Sequence, residues 1–567
     1  MLRDEFIDEE EMTDAAGIPH YEIDINIDEA KLNEDKNAAT ITPILGRIHS
    51  VRPTASSGIG TEILLATSVF VIGFYVGRGK PDDISSFLYN LGLEFCRLSP
   101  SNCDNVCTNG RGFTASLRCI IADGPSAMRS YLKRTKGHSG YWSCDRCIQK
   151  GDMVNRAILL KNVNAPKRTD TDFLTYHASK FSADDHLKDP TDISPFVEMN
   201  FPMVTGFVID PMHTAVEGAF GRRLEGFIFV SGEGKLSSAQ VAEADRRMGH
   251  FNFCRPYGFD RSVGKLSTCR NFKTHVKRNI LYYFLYPLFK GILSDEDLEH
   301  IMLLQYGMLL LGSFNRKPVS STNIAEAKKT FYQYSVGLTE LGIPCRFVSH
   351  QVTHLWEDVQ KYQCGVETNS AFPFESFQGF FRRCLRSGNL QAEQIRNRCI
   401  EKSKYQLPTT SCGMIIENKL QLTIEAKTLN KKSNKLLQLV HRGNRWPKKL
   451  VFTDFVLSDT FPNNVFLSNS FDAFVCVDIA IKNGITQIIA HKFLELVNAF
   501  TYPYISSRFH IFSGSNLSSV TFPMRPSDVF CKVFAIPLNP SPPISFENIE
   551  LIWYLAPLLH TYENRNQ

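Results

Sequence analysis

Residues 116–123, SLRCIIAD, constrain the fold more than any other stretch of the chain. Their nearly unbroken apolar run is that of a strand covered on both faces, and it ends on a carboxylate, Asp123. Gly124-Pro125 comes next and is expected to open a helix, because proline is tolerated in a first helical turn. An earlier stretch, HYEIDINID (20–28), alternates. Tyr21, Ile23, Ile25 and Ile27 point to one side, and Glu22, Asp24, Asn26 and Asp28 to the other. TITPILGRIHSV (40–51) and SVFVIGFYVG (68–77) read as two further strands. PDDISSFLYNLGLEF (81–95) reads as a helix with Asp in its first turn.

Three strands, a helix, a strand and a helix is the element order of a ribonuclease-H-like fold. The expected class is therefore α/β, with Asp28 and Asp123 at the ends of neighbouring central strands. The acidic leader (1–20) precedes the first part of this core (21–141). A mainly helical insertion is expected over 142–340, with its clearest helices at 298–314 and 321–342. Closing helices follow over 341–405, then a polar, basic linker (406–450) and a small β-rich C-terminal domain (451–567). The last is marked by short aromatic and β-branched runs broken by Pro, Asn and Ser.

Two sets of side chains carry chemistry. Asp28, Asp123 and Glu375 form a three-carboxylate pattern, which suits two divalent ions that clamp the attacking and leaving oxygens of a phosphodiester. Asp24 is a rival to Asp28 on the same strand face, and Asp123 could equally be an ordinary helix cap. If 374–388 is helical, about 100° per residue brings Glu375, Gly379, Arg382 and Arg386 into one stripe, with Phe377, Phe380, Phe381, Cys384 and Leu385 opposite. Arg382 and Arg386 would then flank the carboxylate and meet phosphate. The second set is the Cys144-x-x-Cys147 knuckle, half of a zinc site. His350 and His354, at i,i+4, can complete it; His138 and His213 are spare candidates.

Together these segments resemble the DDE transposases of the CACTA (En/Spm-like) type, within the CACTA–Mirage–Chapaev group. The matching stretches are INID (25–28), FVIGFYVGRGKPDDISSFL (70–88), IIADGPSAMRSYLKRTKGHSGYWSCDRC (120–147) and NAPKRTDTDF (164–173). They continue with MVTGFVIDPMHTAVEGAF (203–220), VSHQVTHLWEDVQKY (348–362) and NSAFPFESFQGFFRRCLRSG (369–388). The resemblance implies that Asp28, Asp123 and Glu375 are the catalytic triad holding Mg2+ or Mn2+. It further implies that Cys144, Cys147, His350 and His354 hold a structural Zn2+. The reaction implied is hydrolysis at element ends followed by transfer of the freed 3′-hydroxyl to target DNA. The partners implied are transposon ends, target DNA and further copies of the chain, in the nucleus. The sequence departs from the family at Glu29-Ala30-Lys31-Leu32, where a Gly-Leu-Pro-like run is usual, and at Ala122-Asp123-Gly124-Pro125, where Cys-Asp-Ala-Pro is. Such proteins carry a DNA-binding module before the first catalytic strand. Here an acidic stretch of about twenty residues stands in that place, as in an N-terminally truncated relative.

Composition narrows the alternatives. Residues 1–40 hold thirteen Asp/Glu against three Lys/Arg, so the net charge of +5 understates how basic the remainder is. Basic clusters lie at Lys265–Arg278, Arg382–Arg386 and Arg442–Lys449. The acidic start is the opposite of a secretory leader. Ile63–Val76 and Ile301–Leu311 are too short or too interrupted to span a bilayer. The 15 cysteines, odd in number and without a scaffold spacing, fit a reducing compartment. Three functional readings stay open: an active transposase, a catalytically silent DNA-binding or scaffold protein of the same fold, and a nuclease that cuts without joining.

Overall fold

The computed structural model describes residues 19–405, 421–423 and 448–558, with breaks at 34–38, 54–62, 65–67, 100–105, 109–110, 126–127, 180–184, 190, 231–233, 258, 260–261, 313–317, 453–454, 484 and 539–550. Nearly all of the acidic leader and of the expected linker, with most of the basic run at its end, lies outside the described residues. The chain forms two compact units, Met1–Ala219 with Leu310–Met414, and Phe220–Leu309 with Ile415–Gln567.

The first unit is a mixed α/β layer structure. Its main strands are β1 (Pro19–Ile27), β2 (Thr40–Pro53), β3 (Phe70–Gly77), β4 (Arg111–Ile121) and β5 (Phe207–Val208). They lie side by side in the order β3-β2-β1-β4-β5. β3, β2 and β1 pair antiparallel, whereas β1, β4 and β5 run parallel. α1 (Ile84–Leu98) covers one face of the sheet through Ile84, Leu88, Leu91 and Leu98, an apolar stripe at helical spacing. The opposite face carries Leu45, Cys119, Ile121 and Val208, and packs against Phe374, Phe381, Ile395 and Cys399 of two later helices. Both faces are thus covered, which explains why Asp24, Asn26 and Asp28 are buried along with the isoleucines of the same strand.

Several sequence expectations shift. Asp83 lies just before α1 as its cap, accepting from the backbone of Ser85 and Ser86. Gly124-Pro125 form a turn, and the helix described after Asp123 is α2 (Met128–Lys133). The helix expected from 321 is Ser321–Glu340, with Ser320 as its cap. β5, two residues long, lies inside the stretch expected to be a helical insertion, yet it extends the parallel part of the sheet.

In the second unit, six strands among the described residues close into a barrel: Val465–Ser468, Ala473–Lys482, Ile485–Asn498, Phe512–Met524, Val529–Pro537 and Trp553–Pro557. Alternate residues divide between two cores, Val465, Leu467 and Val475 in one and Phe466, Phe474 and Cys476 in the other. Helices from 220–309 belong to the same unit. Phe284 and Phe259 lie 5.0 and 5.4 Å from the barrel residue Phe534, and Tyr306 stacks on Tyr504 at 4.4 Å. Within the expected insertion, the helices of 220–309 therefore pack with the C-terminal strands, whereas Ser321–Glu340 belongs to the first unit. Its basic cluster is partly internal, since Lys277 and Arg278 are buried. No helix among the described residues is long and apolar enough to cross a membrane.

Candidate metal centres

The parallel strands fix a row of acids. Asn26, Ile121 and Val208 are register partners across β1, β4 and β5. Asp28, Asp123 and Asp210 each stand two residues further on, so three carboxylates leave the sheet at the same end. Carboxyl ends of parallel strands are where α/β sheets gather ligands. Glu375 comes from the first turn of the helix Phe372–Cys384, which lies against the sheet.

Asp28, Glu375 and His213 present ligand atoms within 4.8 Å of one another. His213 Nε2 lies 3.7 Å from Asp123 Oδ2 and 3.8 Å from Glu375 Oε1. The other carboxylate oxygen of Asp123, Oδ1, is buried without a hydrogen-bond partner. Such an oxygen is expensive to leave unsatisfied. Asp28 Oδ1 accepts from the adjacent backbone, Glu29 N, at 2.8 Å, and the Asp28 and Glu375 side chains share a hydrogen bond. Glu375 is the most exposed of the acids and opens the site to solvent.

Burial, and after it the crowding of like charges, perturbs Asp28 and Glu375. Burial raises the Asp28 carboxyl to about 7; His213 opposes the rise, and Glu375 and Asp123 add to it. Glu375 is raised too, chiefly by burial and against the pull of His213. Burial alone would depress His213, but its hydrogen bond to Asp210 and the surrounding carboxylates outweigh it and hold the imidazole at about 10. At neutral pH an imidazolium therefore sits among the acids, in the position of a cation.

Asp210 organises this corner. It is fully buried and caps the π-helix Met212–Phe220 through the N–H groups of Met212 (3.0 Å) and His213 (3.1 Å). It also accepts from His213 Nδ1 at 2.6 Å and from Ala371 N at 2.9 Å. One carboxylate thus fixes the imidazole and the residue just before the Glu375 helix. His213, a spare zinc candidate in the sequence, belongs here and not with the cysteines. The Asp-x-x-His spacing of Asp210 and His213 was the available signal.

Asp24, the rival of Asp28, points elsewhere. Burial would raise its carboxyl, but Arg118 and Arg47 hold it well below the usual range. Arg118 donates to it through Nε, and Arg47 Nη2 lies 2.7 Å away. The same guanidinium groups reach Asn369 Oδ1 (3.2 Å) and the Thr368 carbonyl (2.6 Å). Asp24 thereby secures the segment that leads into the Glu375 helix.

The arginine stripe is realised only in part. Arg382 is exposed on the Glu375 helix, its Nε donating to the Lys31 carbonyl at 3.1 Å. The helix ends at Cys384, because Leu385 turns to extended backbone. Arg386 therefore lies in the connection beyond it, and its N–H donates to Gln394 at 2.8 Å.

The second centre is a cluster of Cys144, Cys147, His350 and His354, all buried, that could hold a metal ion. Cys147 Sγ lies 3.2 Å from His350 Nε2, and Cys144 Sγ lies 3.5 Å from His354 Nε2. The two Nε2 atoms are 3.2 Å apart. The histidines do not share one regular helix: His350 is in Phe347–Gln351, and His354 ends a 3-10 turn, Val352–His354. Burial opposes the Cys144 thiolate, but hydrogen bonding from Cys147 and the two imidazoles hold this thiol well below its ordinary range. Outer partners orient the ligands: Glu357 accepts from His354 Nδ1 at 2.9 Å, and Gln149 Nε2 donates to Cys147 Sγ at 3.2 Å. His138 is exposed, with its ring 6.4 Å from Phe347, and takes no part.

Comparison with known families finds a domain of unknown function, DUF8592, over residues 430–551. That region takes in five of the six barrel strands and none of the residues of either cluster. No curated protein matches the chain.

Proposed function

We propose that the chain is a transposon-derived, DDE-transposase-like protein that cleaves DNA and joins the freed end to a target. One observation carries the reading. Asp28, Asp123 and Glu375, far apart in sequence, gather around the His213 imidazole: Asp28, Glu375 and His213 present ligand atoms within 4.8 Å of one another, and Asp123 Oδ2 lies 3.7 Å from His213 Nε2. The ribonuclease-H-like reading of the core draws support from the strand order, with three antiparallel strands followed by parallel ones, and from the Glu375 helix on one face. The resemblance of the surrounding segments to CACTA-type transposases supplies the reaction class, the DNA partners, self-association and a nuclear setting.

The donor set fits Mg2+ or Mn2+, which favour carboxylate oxygens. Such ions would supply charge stabilisation at the phosphate oxygens. Asp28 and Asp123 offer ligands fixed by strand ends, and Glu375 offers one from the solvent side. His213 keeps a proton directed at Asp210 and balances the acids when no metal is bound. Arg382, two turns along the helix from Glu375, presents a guanidinium to a passing phosphate. For the second centre, the Cys2His2 donor set favours Zn2+. Ordinary Zn–S and Zn–N lengths in a tetrahedron place S and N about 3.5 Å apart and two N atoms about 3.3 Å apart. The 3.2–3.5 Å separations here are close to those values.

The test is nicking of supercoiled plasmid by the purified chain with Mn2+ or Mg2+, beside Asp123→Asn. Metal-dependent nicking lost in the variant is the expected result, and strand transfer of a labelled end separates a transposase from a nuclease. Absence of nicking in folded protein would replace this reading with the silent DNA-binding or scaffold one.

A further inference from the structure

The two residues between the cysteines of the knuckle do not face solvent. Asp145 is buried and paired with Lys133 at 2.9 Å and Arg129 at 3.2 Å, both from α2. Burial would raise its carboxyl, but these two cations hold it well below the usual range. Gln351, fully buried between the two histidines of the cluster, donates to the same carboxylate at 2.9 Å.

Arg129 is the residue on which these contacts meet. It is 1% exposed, among the largest fully buried side chains. Its Nη1 donates to Asp145 and, at 3.4 Å, to Gln351 Oε1. Its Nε and Nη2 both donate to the Ala122 carbonyl, at 3.3 and 3.2 Å. Its backbone N–H donates to the Asp123 carbonyl at 3.0 Å. A methyl group on Gly124 would come within 3.3 Å of the guanidinium carbon. Arg129 therefore grips the peptide before Asp123 and the peptide after it, and lies flat against the next residue.

Arg146 reaches the other side of the carboxylate site. It donates to Asp358 at 2.6 Å and to the Phe207 carbonyl at 2.9 Å. Asp358 in turn accepts from Ile209 N at 2.7 Å, the residue before Asp210. Two adjacent knuckle residues thus hold the ends of two adjacent strands.

We propose that Arg129 is a positioning residue that ties the Asp123 loop to the Cys–His cluster, so that the integrity of the cluster sets the geometry of the carboxylate site. This rests on the reading of Asp28, Asp123 and Glu375 as a divalent-metal site. The physical reason is that Arg129 bonds the Ala122 carbonyl, before Asp123, with its guanidinium and the Asp123 carbonyl with its backbone N–H, which restricts how Asp123 can move.

The experiment is Mn2+ titration of the zinc-loaded full chain, read by electron paramagnetic resonance, with zinc content and thermal unfolding measured on the same samples. Asp123→Asn tests the underlying site: equal Mn2+ binding in wild type and this variant would remove the carboxylate reading itself. With that site established, Arg129→Gln is expected to keep one zinc per chain and cooperative unfolding, yet to lose about tenfold in Mn2+ affinity. Unchanged affinity in a folded, zinc-loaded Arg129→Gln protein overturns the proposal. If that variant loses zinc or its cooperative transition, Gln351→Met decides, because it leaves the Ala122 contacts in place and removes the histidine-side half of the link, while Asp145 keeps the cysteine-side half. A several-fold loss of Mn2+ affinity there is expected, and wild-type affinity overturns the proposal.

Discussion

Asp24 stands in β1 and Asp28 just past its end, four residues on, and their surroundings give them opposite behaviour. Asp24 lies between two arginines, so Asp24→Ala leaves Arg118 buried without its counter-charge and is expected to cost about 3–5 kcal/mol by denaturant unfolding. Asp28 lies among acids, so Asp28→Asn is expected to raise the melting temperature of metal-free protein near neutral pH and to abolish the gain from added Mn2+. A Cys144→Ser protein is expected to lose its bound zinc, measured by mass spectrometry, and to melt earlier. Strand alternation could not choose between Asp24 and Asp28, and only the family resemblance favoured Asp28, because the arginines that set Asp24 apart come from β2 and β4. Arg129 was equally hidden, since one basic residue in a short helix resembles any solvated one.

At the scale of elements, the site is a set of strand ends closed by one helix, and its electrostatics make stability depend on pH. Asp28 titrates near 3.8 in an unfolded chain and near 7 in the fold. Between those values the folded state holds the proton more tightly, so the contribution of Asp28 is complete below pH 3.8 and is lost as pH rises through about 7. Divalent metal acts in the opposite sense, since it needs the ionised form. The rise in melting temperature on adding Mn2+ is expected to be larger at about pH 8 than at about pH 5.5, and an equal rise at both would contradict the assignment. The Glu375 helix was legible from its stripe, but its end was not. Arg382 is therefore expected to matter more than Arg386 for DNA binding. Removing one guanidinium–phosphate pairing through Arg382→Ala should reduce the log–log salt slope of binding by about 0.9. β5 escaped notice because two residues carry no periodicity.

At the scale of the whole molecule, the α/β character of the first unit and the β-rich character of the C-terminal region were both legible, because strand alternation and turn residues are local signals. The association of helices from 220–309 with the barrel was not, because Phe259, Phe284 and Phe534 meet only through the fold. Phe534→Ala is expected to destabilise that unit by about 3–5 kcal/mol. Both candidate metal centres draw their ligands from the other unit, so zinc content should be unchanged in the same sample. The most direct measurement is anomalous scattering from crystals of the full chain soaked in Mn2+. A manganese peak between Asp28, Asp123 and Glu375, with His213 displaced from the carboxylates, is the expected result. Acids still gathered around His213, with no peak among them at a concentration that loads other sites, would contradict it.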